Sequence, residues 1–161
     1  MTGLAYTTLL RDFSDLRRFS LKFLESISPD EAQVQPEGFS NHLHWQLGHL
    51  LFTQGETLFT GCGFPSPFPG YKDYFDKGTR PEDYDSLVPD WETLMAQARR
   101  HLESLPASVA DRLDRPLVQP RKLMNVAMAT AGETLPFLIA HEGEHIGHLK
   151  RLRKAVRPRR A

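Results

Sequence analysis

The chain has a single cysteine, Cys62, no unbroken apolar run long enough to cross a bilayer, and no surplus of charge of either sign. Each shortage excludes something. One thiol cannot build an internal disulfide framework, and with neither a signal-peptide pattern at the start nor a spanning run, the expectation is a cytoplasmic protein with no membrane partner. Lys plus Arg and Asp plus Glu are equal at 20 each, so no global field favours nucleic acid, and none is expected as a partner. Strand signals are scarce, and there is no internal repeat or low-complexity tract. What is present is 40% apolar residues in 161, enough for one domain with its own core over residues 1–161, and seven histidines. Six of them fall in two clusters, His42/His44/His49 and His141/His145/His148.

Apolar periodicity places the clusters on helices. From about Leu4 to Ile27, residues Leu9, Phe13, Leu16, Phe23 and Ile27 recur at helical spacing. Ser28-Pro29-Asp30-Glu31 reads as an N-cap and first turn of a short piece that Pro36 and Gly38 stop. A second long helix, capped by Ser40, runs from about Asn41 to Thr60 and ends at Gly61 and Gly63. Residues 62 to 89 hold five prolines and read as an ordered crossover without a helix, its aromatics Phe64, Phe68, Tyr71, Tyr74 and Phe75 plugging the space over the helices. Asp90 caps a third long helix, Trp91 to Leu105, which Pro106 ends. Residues 106 to 132 read as irregular, with Asn125 to Thr130 either an extended strand or a helical turn. The last helix runs from near Thr134 to about Val156, with Pro136 tolerated in its first turn, and a basic tail occupies about 157–161. Four amphipathic helices with two long connections predict an all-α four-helix bundle with crossovers, whose sites lie between facing helices.

Residues four apart on a helix stand on one face, about one turn apart, so His141 and His145 can hold one ion between them. Tight binding needs a third ligand. His49 is the candidate: Trp45 lies one turn before it and Leu47, Leu50 and Leu51 surround it, so its imidazole faces inward where it needs a partner. His148 shares the face but lies about 10.5 Å along the axis from His141, which makes it an outer or substrate-facing residue. His42 and His44, in the first turn, read as capping or exposed, and His101 as surface.

The strings Ser40-Asn41-His42-Leu43-His44-Trp45-Gln46-Leu47-Gly48-His49-Leu50 and His141-Glu142-Gly143-Glu144-His145-Ile146-Gly147-His148-Leu149 resemble the DinB superfamily, also called DinB/YfiT-like metalloproteins, and the match runs over nearly the whole chain. The specific part is a histidine on the second long helix followed, about ninety residues on, by HxxxHxG near the C-terminus. The resemblance implies a four-helix bundle, commonly a homodimer, that binds a divalent ion through His49, His141 and His145. Zinc or nickel would be usual, with manganese and iron as further candidates. Relatives include S-transferases and an isomerase that use low-molecular-weight thiols with small-molecule substrates. His148 stands where glutamine often follows the glycine.

Three neutral imidazoles leave the ion's charge uncompensated and a position open, the pattern of a catalytic and not a closed structural site. The expected function is therefore a metal-dependent enzyme, an S-transferase acting through a metal-activated thiol, with Glu142, Glu144 and His148 as candidate catalytic residues. Each glutamate, on a helix position that points away from the histidine pair, reads as a solvated carboxylate before it reads as a base. One alternative is a non-catalytic bundle that the metal stabilises, or a stress-linked binding protein. Another is a hydrolase, because His141-Glu142-Gly143-Glu144-His145 matches HExxH, although only about sixteen residues follow to supply a downstream ligand. The basic run from Lys150 to Arg160 complements the helix dipole and then trails into solvent.

Overall fold

The first amphipathic segment forms α1 (Gly3–Leu24) in a computed structural model that describes residues 3–123 and 125–157. Its buried face runs through Tyr6, Leu10, Phe13, Arg17, Leu21 and Leu24, in steps of three and four. Leu9, Leu16 and Phe23, expected on that face, sit at its margin and are half-buried. The centre of the stripe includes a charged residue, which a search for apolar spacing passes over. Ser28 opens α2 (Pro29–Ala32) with the expected capping box: its hydroxyl accepts from the Glu31 N–H at 3.2 Å, and the Glu31 carboxylate accepts from the Ser28 N–H at 2.9 Å.

His42, not Ser40, caps α3 (Leu43–Leu58), its Nδ1 accepting from the Trp45 N–H at 3.1 Å. This helix is buried almost all round because the proline-rich crossover lies over one side of it. That crossover is not helix-free as expected. It contains α4 (Tyr71–Phe75), whose Tyr71 and Phe75, with Phe68, form the aromatic plug. The Phe75 ring lies flat against the backbone at Gly48, where an added Cβ would come within 2.3 Å of it, so only glycine admits this contact.

Asp90 caps α5 (Trp91–Val109), accepting from the Thr93 N–H at 2.8 Å. Pro106 does not end this helix: Leu105 and Val109 are fully buried, and burying one more apolar turn offsets the hydrogen bond that proline removes. The stretch read as irregular holds an antiparallel hairpin, β1 (Pro116–Leu123) and β2 (Val126–Thr130), with Arg121 opposite Met128 and a register shift between Pro116 and Arg121. Pro116 and Pro120 disguised β1, yet a two-stranded ribbon has free edges that accept proline. The last helix, α6 (Leu135–Val156), packs on α1 and α3, and α5 packs on the same two helices.

The chain is thus mostly helical, and its buried apolar side chains form two clusters. One gathers Leu21, Leu47, Leu51, Leu94 and Leu149, the other Tyr6, Phe13, Leu58, Leu105 and Leu138. Between them, on α1, α3 and α6, come Arg17, Gln54 and Glu142, which form a polar layer across the interior. No helix among the described residues is long and apolar enough to cross a membrane. Arg157 does not trail into solvent: it ion-pairs with Glu31 and donates to the Ser26 carbonyl at 2.6 Å, which ties the end of α6 to the α1–α2 corner and, with the Ser28 N–H bond, holds the Glu31 carboxyl down at about 2. Residues 158–161 of the expected tail lie outside the described residues.

Candidate metal centre

α3 contributes His49, and α6 contributes His141 and His145 one turn apart. One ring nitrogen from each lies within 4.8 Å of the others, and the Nε2 atoms of His49 and His141 are 3.2 Å apart. Two nitrogens bound about 2.0–2.1 Å from one ion sit roughly 2.9–3.3 Å apart at octahedral or tetrahedral angles. The His49–His141 pair already has that spacing, and the His145 nitrogen lies within 4.8 Å of both.

The far sides of the rings show that the residues fit a metal. His49 Nδ1 donates to the Phe75 carbonyl at 2.6 Å, and His145 Nδ1 donates to Gln46 Oε1 at 2.5 Å. Each bond fixes the tautomer and leaves Nε2 with a bare lone pair, which on His49 faces His141 Nε2, the support that metal-binding histidines receive from their outer partners. Gln46 is itself held, donating from Nε2 to Asn41 Oδ1 at 2.9 Å. The Trp45 indole stacks on His49 with ring centres 4.7 Å apart and planes within 9°, and it is anchored by a bond from its Nε1 to Thr79 Oγ1 at 3.0 Å. Removing the Gln46 acceptor should therefore weaken metal binding without removing a ligand. Gln46→Met is expected to lower zinc affinity by about 10–100-fold, read by competition with a chromogenic chelator, and an unchanged affinity would remove Gln46 from the site.

Burial keeps these imidazoles neutral. It pushes His141 down to about 4, with His49 adding to the effect, and His145 down to about 2, with His141 and His49 adding to it. His49 is lowered by burial against the opposing pull of its Phe75 bond. Burial also holds His42 and His101 at about 4 and lowers His44. An unfolded chain titrates its histidines near pH 6.5, so below that value the unfolded state takes up protons that the folded state refuses. Stability is thus full above about pH 6.5 and declines as pH falls toward about 4. Melting curves of the chelated protein should show Tm dropping between about pH 7.5 and about pH 4.5, and a Tm that holds level would contradict the burial of these rings.

Several expected positions differ. Of the two roles expected for His42 and His44, capping or exposed, His42 takes the first and caps α3, whereas His44 is buried and donates from Nε2 to the Pro89 carbonyl at 2.7 Å, closing the end of the crossover. His101 is not a surface residue but lies between the rings of Phe59 and Phe68. Glu142 is not solvated. It is 1% exposed and accepts from Arg17 Nε at 3.0 Å, Arg17 Nη2 at 2.8 Å and Ser20 Oγ at 2.6 Å, so its carboxylate is occupied in the polar layer and is not free to act as a base at the triad. Arg17 was missed altogether. Glu144 is exposed, with a carboxylate oxygen 3.8 Å from His148 Nε2. His148 is half-buried beside His145, ring centres 5.6 Å apart, and its Nδ1 accepts from Arg151 at 3.0 Å, so it stands outside the cluster of the other three. The Cys62 thiol is half-buried and pushed up by burial, against the pull of Arg112, Arg121 and Arg115, which does not favour a thiolate there.

Two grooves reach the triad. One, of about 440 Å³, is lined by His49 and His141, and the other, of about 450 Å³, by His145 and His148. A family model described as the DinB superfamily matches residues 12–149, a span that takes in all three histidines. None of the curated proteins matches the chain.

Proposed function

Because this chain belongs to the DinB superfamily, we propose that it is a four-helix-bundle metalloenzyme that binds one divalent ion, zinc or nickel, through His49, His141 and His145, and transfers a thiol to an electrophilic small molecule. The observation that carries this reading is the pair of outer bonds, His49 to the Phe75 carbonyl and His145 to Gln46, which leave two Nε2 atoms bare in a cluster of three imidazoles whose ligand nitrogens lie within 4.8 Å of one another. A chain that needed these histidines only for packing has no reason to orient them so.

A divalent ion with a coordination position left open favours the deprotonated form of a thiol or water placed on it. The protein's own groups do the rest. Three neutral donors leave the ion its full charge, the stacked Trp45 keeps the His49 ring in one orientation, and the grooves beside the triad leave room for two reactants. In the transfer, the thiol sulfur forms a bond to an electrophilic carbon, the leaving group departs with its electron pair, and the thiol proton goes to solvent. Buried Glu142 takes no part, and this argues against the HExxH hydrolase alternative, which needs that carboxylate free. A homodimer in the cytoplasm is part of the same proposal.

The test uses protein purified without a nickel column. Its metal content should be near one ion per chain, and the metal-loaded form should consume a low-molecular-weight thiol with a dinitrohalobenzene faster than the chelated form. Tight, strongly stabilising metal binding without turnover would favour the non-catalytic alternative.

A further inference from the structure

The groove on the His49 and His141 side differs from its neighbour in its charges. Along α3, His49, Thr53 and Glu56 follow one another at helical spacing and form its floor, and Phe52 and Phe137 supply apolar wall. Lys72 and Lys77, at either end of α4, and Arg121, from β1, reach it from the other elements. Among the described residues, none of these three cations has an ion-pair partner. Arg121 is nevertheless fixed: its Nη2 donates to the Glu56 carbonyl at 3.2 Å and its Nη1 to Thr57 Oγ1 at 3.5 Å. A guanidinium has five N–H donors, so this anchoring leaves others to face the groove. Two carboxylates, Glu56 and Asp76, line it as well, and Asp76 accepts from the Lys77 N–H at 2.7 Å. Cations therefore outnumber anions, and the most rigid charge is an arginine, the side chain best suited to a carboxylate.

We propose that this groove is a subsite for a carboxylate at the far end of the substrate, with Arg121 as its specificity-determining residue and Lys72 and Lys77 as supporting charges. The inference rests on the metal-site reading for what binds at the near end. Glu56 is seven residues beyond His49, so Arg121, held on the Glu56 carbonyl, lies about 10 Å along the helix axis from the His49 level. The substrate class is a small, elongated molecule with a metal-seeking group at one end and a carboxylate roughly that far away. The volume of about 440 Å³ suits such a ligand.

The test titrates zinc-loaded protein with three thiols of one chain length, mercaptooctanoate, mercaptooctanamide and aminooctanethiol, by calorimetry. The carboxylate should bind about tenfold tighter than the amide, with the amine weakest, and Arg121→Gln should bring carboxylate and amide to within about twofold of each other. Because Arg121 also braces the end of α3, the exposed pair Lys72→Gln/Lys77→Gln provides a second variant that leaves the fold alone and should shrink the preference about threefold. Equal binding of carboxylate and amide, tighter binding of the amine, or a preference untouched by both variants would overturn the subsite. A protein that fails to take up zinc at all would instead overturn the metal reading, and the subsite is then decided by octanoate against octanamide on the metal-free chain, where equal binding overturns it.

Discussion

Alanine at His49, His141 or His145 is expected to lower zinc affinity by at least about a hundredfold, since losing only an outer partner of such a ligand costs about 10–100-fold. His148→Ala should change it by less than about threefold, because that ring stands apart from the converging nitrogens and is engaged by Arg151. The contrast matters more than either number. All four histidines lie within reach of one helix pair, and a protein that merely collects metal on exposed imidazoles would respond to His148 as much as to the others. Chelator-dependent loss of Tm gives an independent reading: it should be present in the unaltered protein and in His148→Ala and vanish in the three ligand variants. Equal responses at all four positions would remove the selectivity on which the site is argued.

Breaking the polar layer should have the largest effect on stability. Arg17 and Glu142 are 2% and 1% exposed, joined by two hydrogen bonds, with Ser20 and Gln54 completing the set. Removing one member strands the other charge in a low-dielectric interior, so Glu142→Ala or Arg17→Met is expected to destabilise the fold by about 3–5 kcal/mol. Denaturant midpoints with unchanged slope would measure this. The double variant Arg17→Met/Glu142→Leu removes both charges together and should recover much of the loss, because an apolar pair of similar volume avoids the desolvation that the ions suffer. The same experiment separates two meanings of the HExxH string. A general base could be replaced with loss of activity and little change in stability, whereas a buried pair member shows the reverse. A Glu142→Ala protein as stable as its parent would refute the ion-pair assignment.

The convergence of the three histidines was legible in the sequence because inward-facing side chains on helices leave a periodic trace. His141 and His145 four apart, and an inward-facing His49 on another helix, needed only helical geometry to bring them together. What the sequence concealed was whatever depends on partners far along the chain. Arg17 looks like one more basic residue beside Arg18, and nothing local reveals that Glu142, 125 positions away, neutralises it inside the core. For the same reason Glu142 read as solvated. His101 read as surface, and exposure was one of two readings of His42 and His44, because their cover comes from elsewhere: Tyr84 lies against the first two, the Pro89 carbonyl holds His44, and Phe59 and Phe68 enclose His101. α4 was missed because five residues are too few to show a period, and β1 because its prolines speak against a strand unless both strands of the ribbon are known to be edges. Phe75 was read correctly as part of a plug. That its carbonyl would also orient His49 required the close approach at Gly48, which no spacing rule anticipates.

Convergence of three imidazoles on one cation is tested most directly by anomalous diffraction at the zinc absorption edge, on crystals of protein loaded with stoichiometric zinc. A single strong peak about 2.0–2.1 Å from a ring nitrogen of each of His49, His141 and His145 is the expected result. A peak held by His148 and Glu144 in place of the triad, or no peak between α3 and α6, would contradict it.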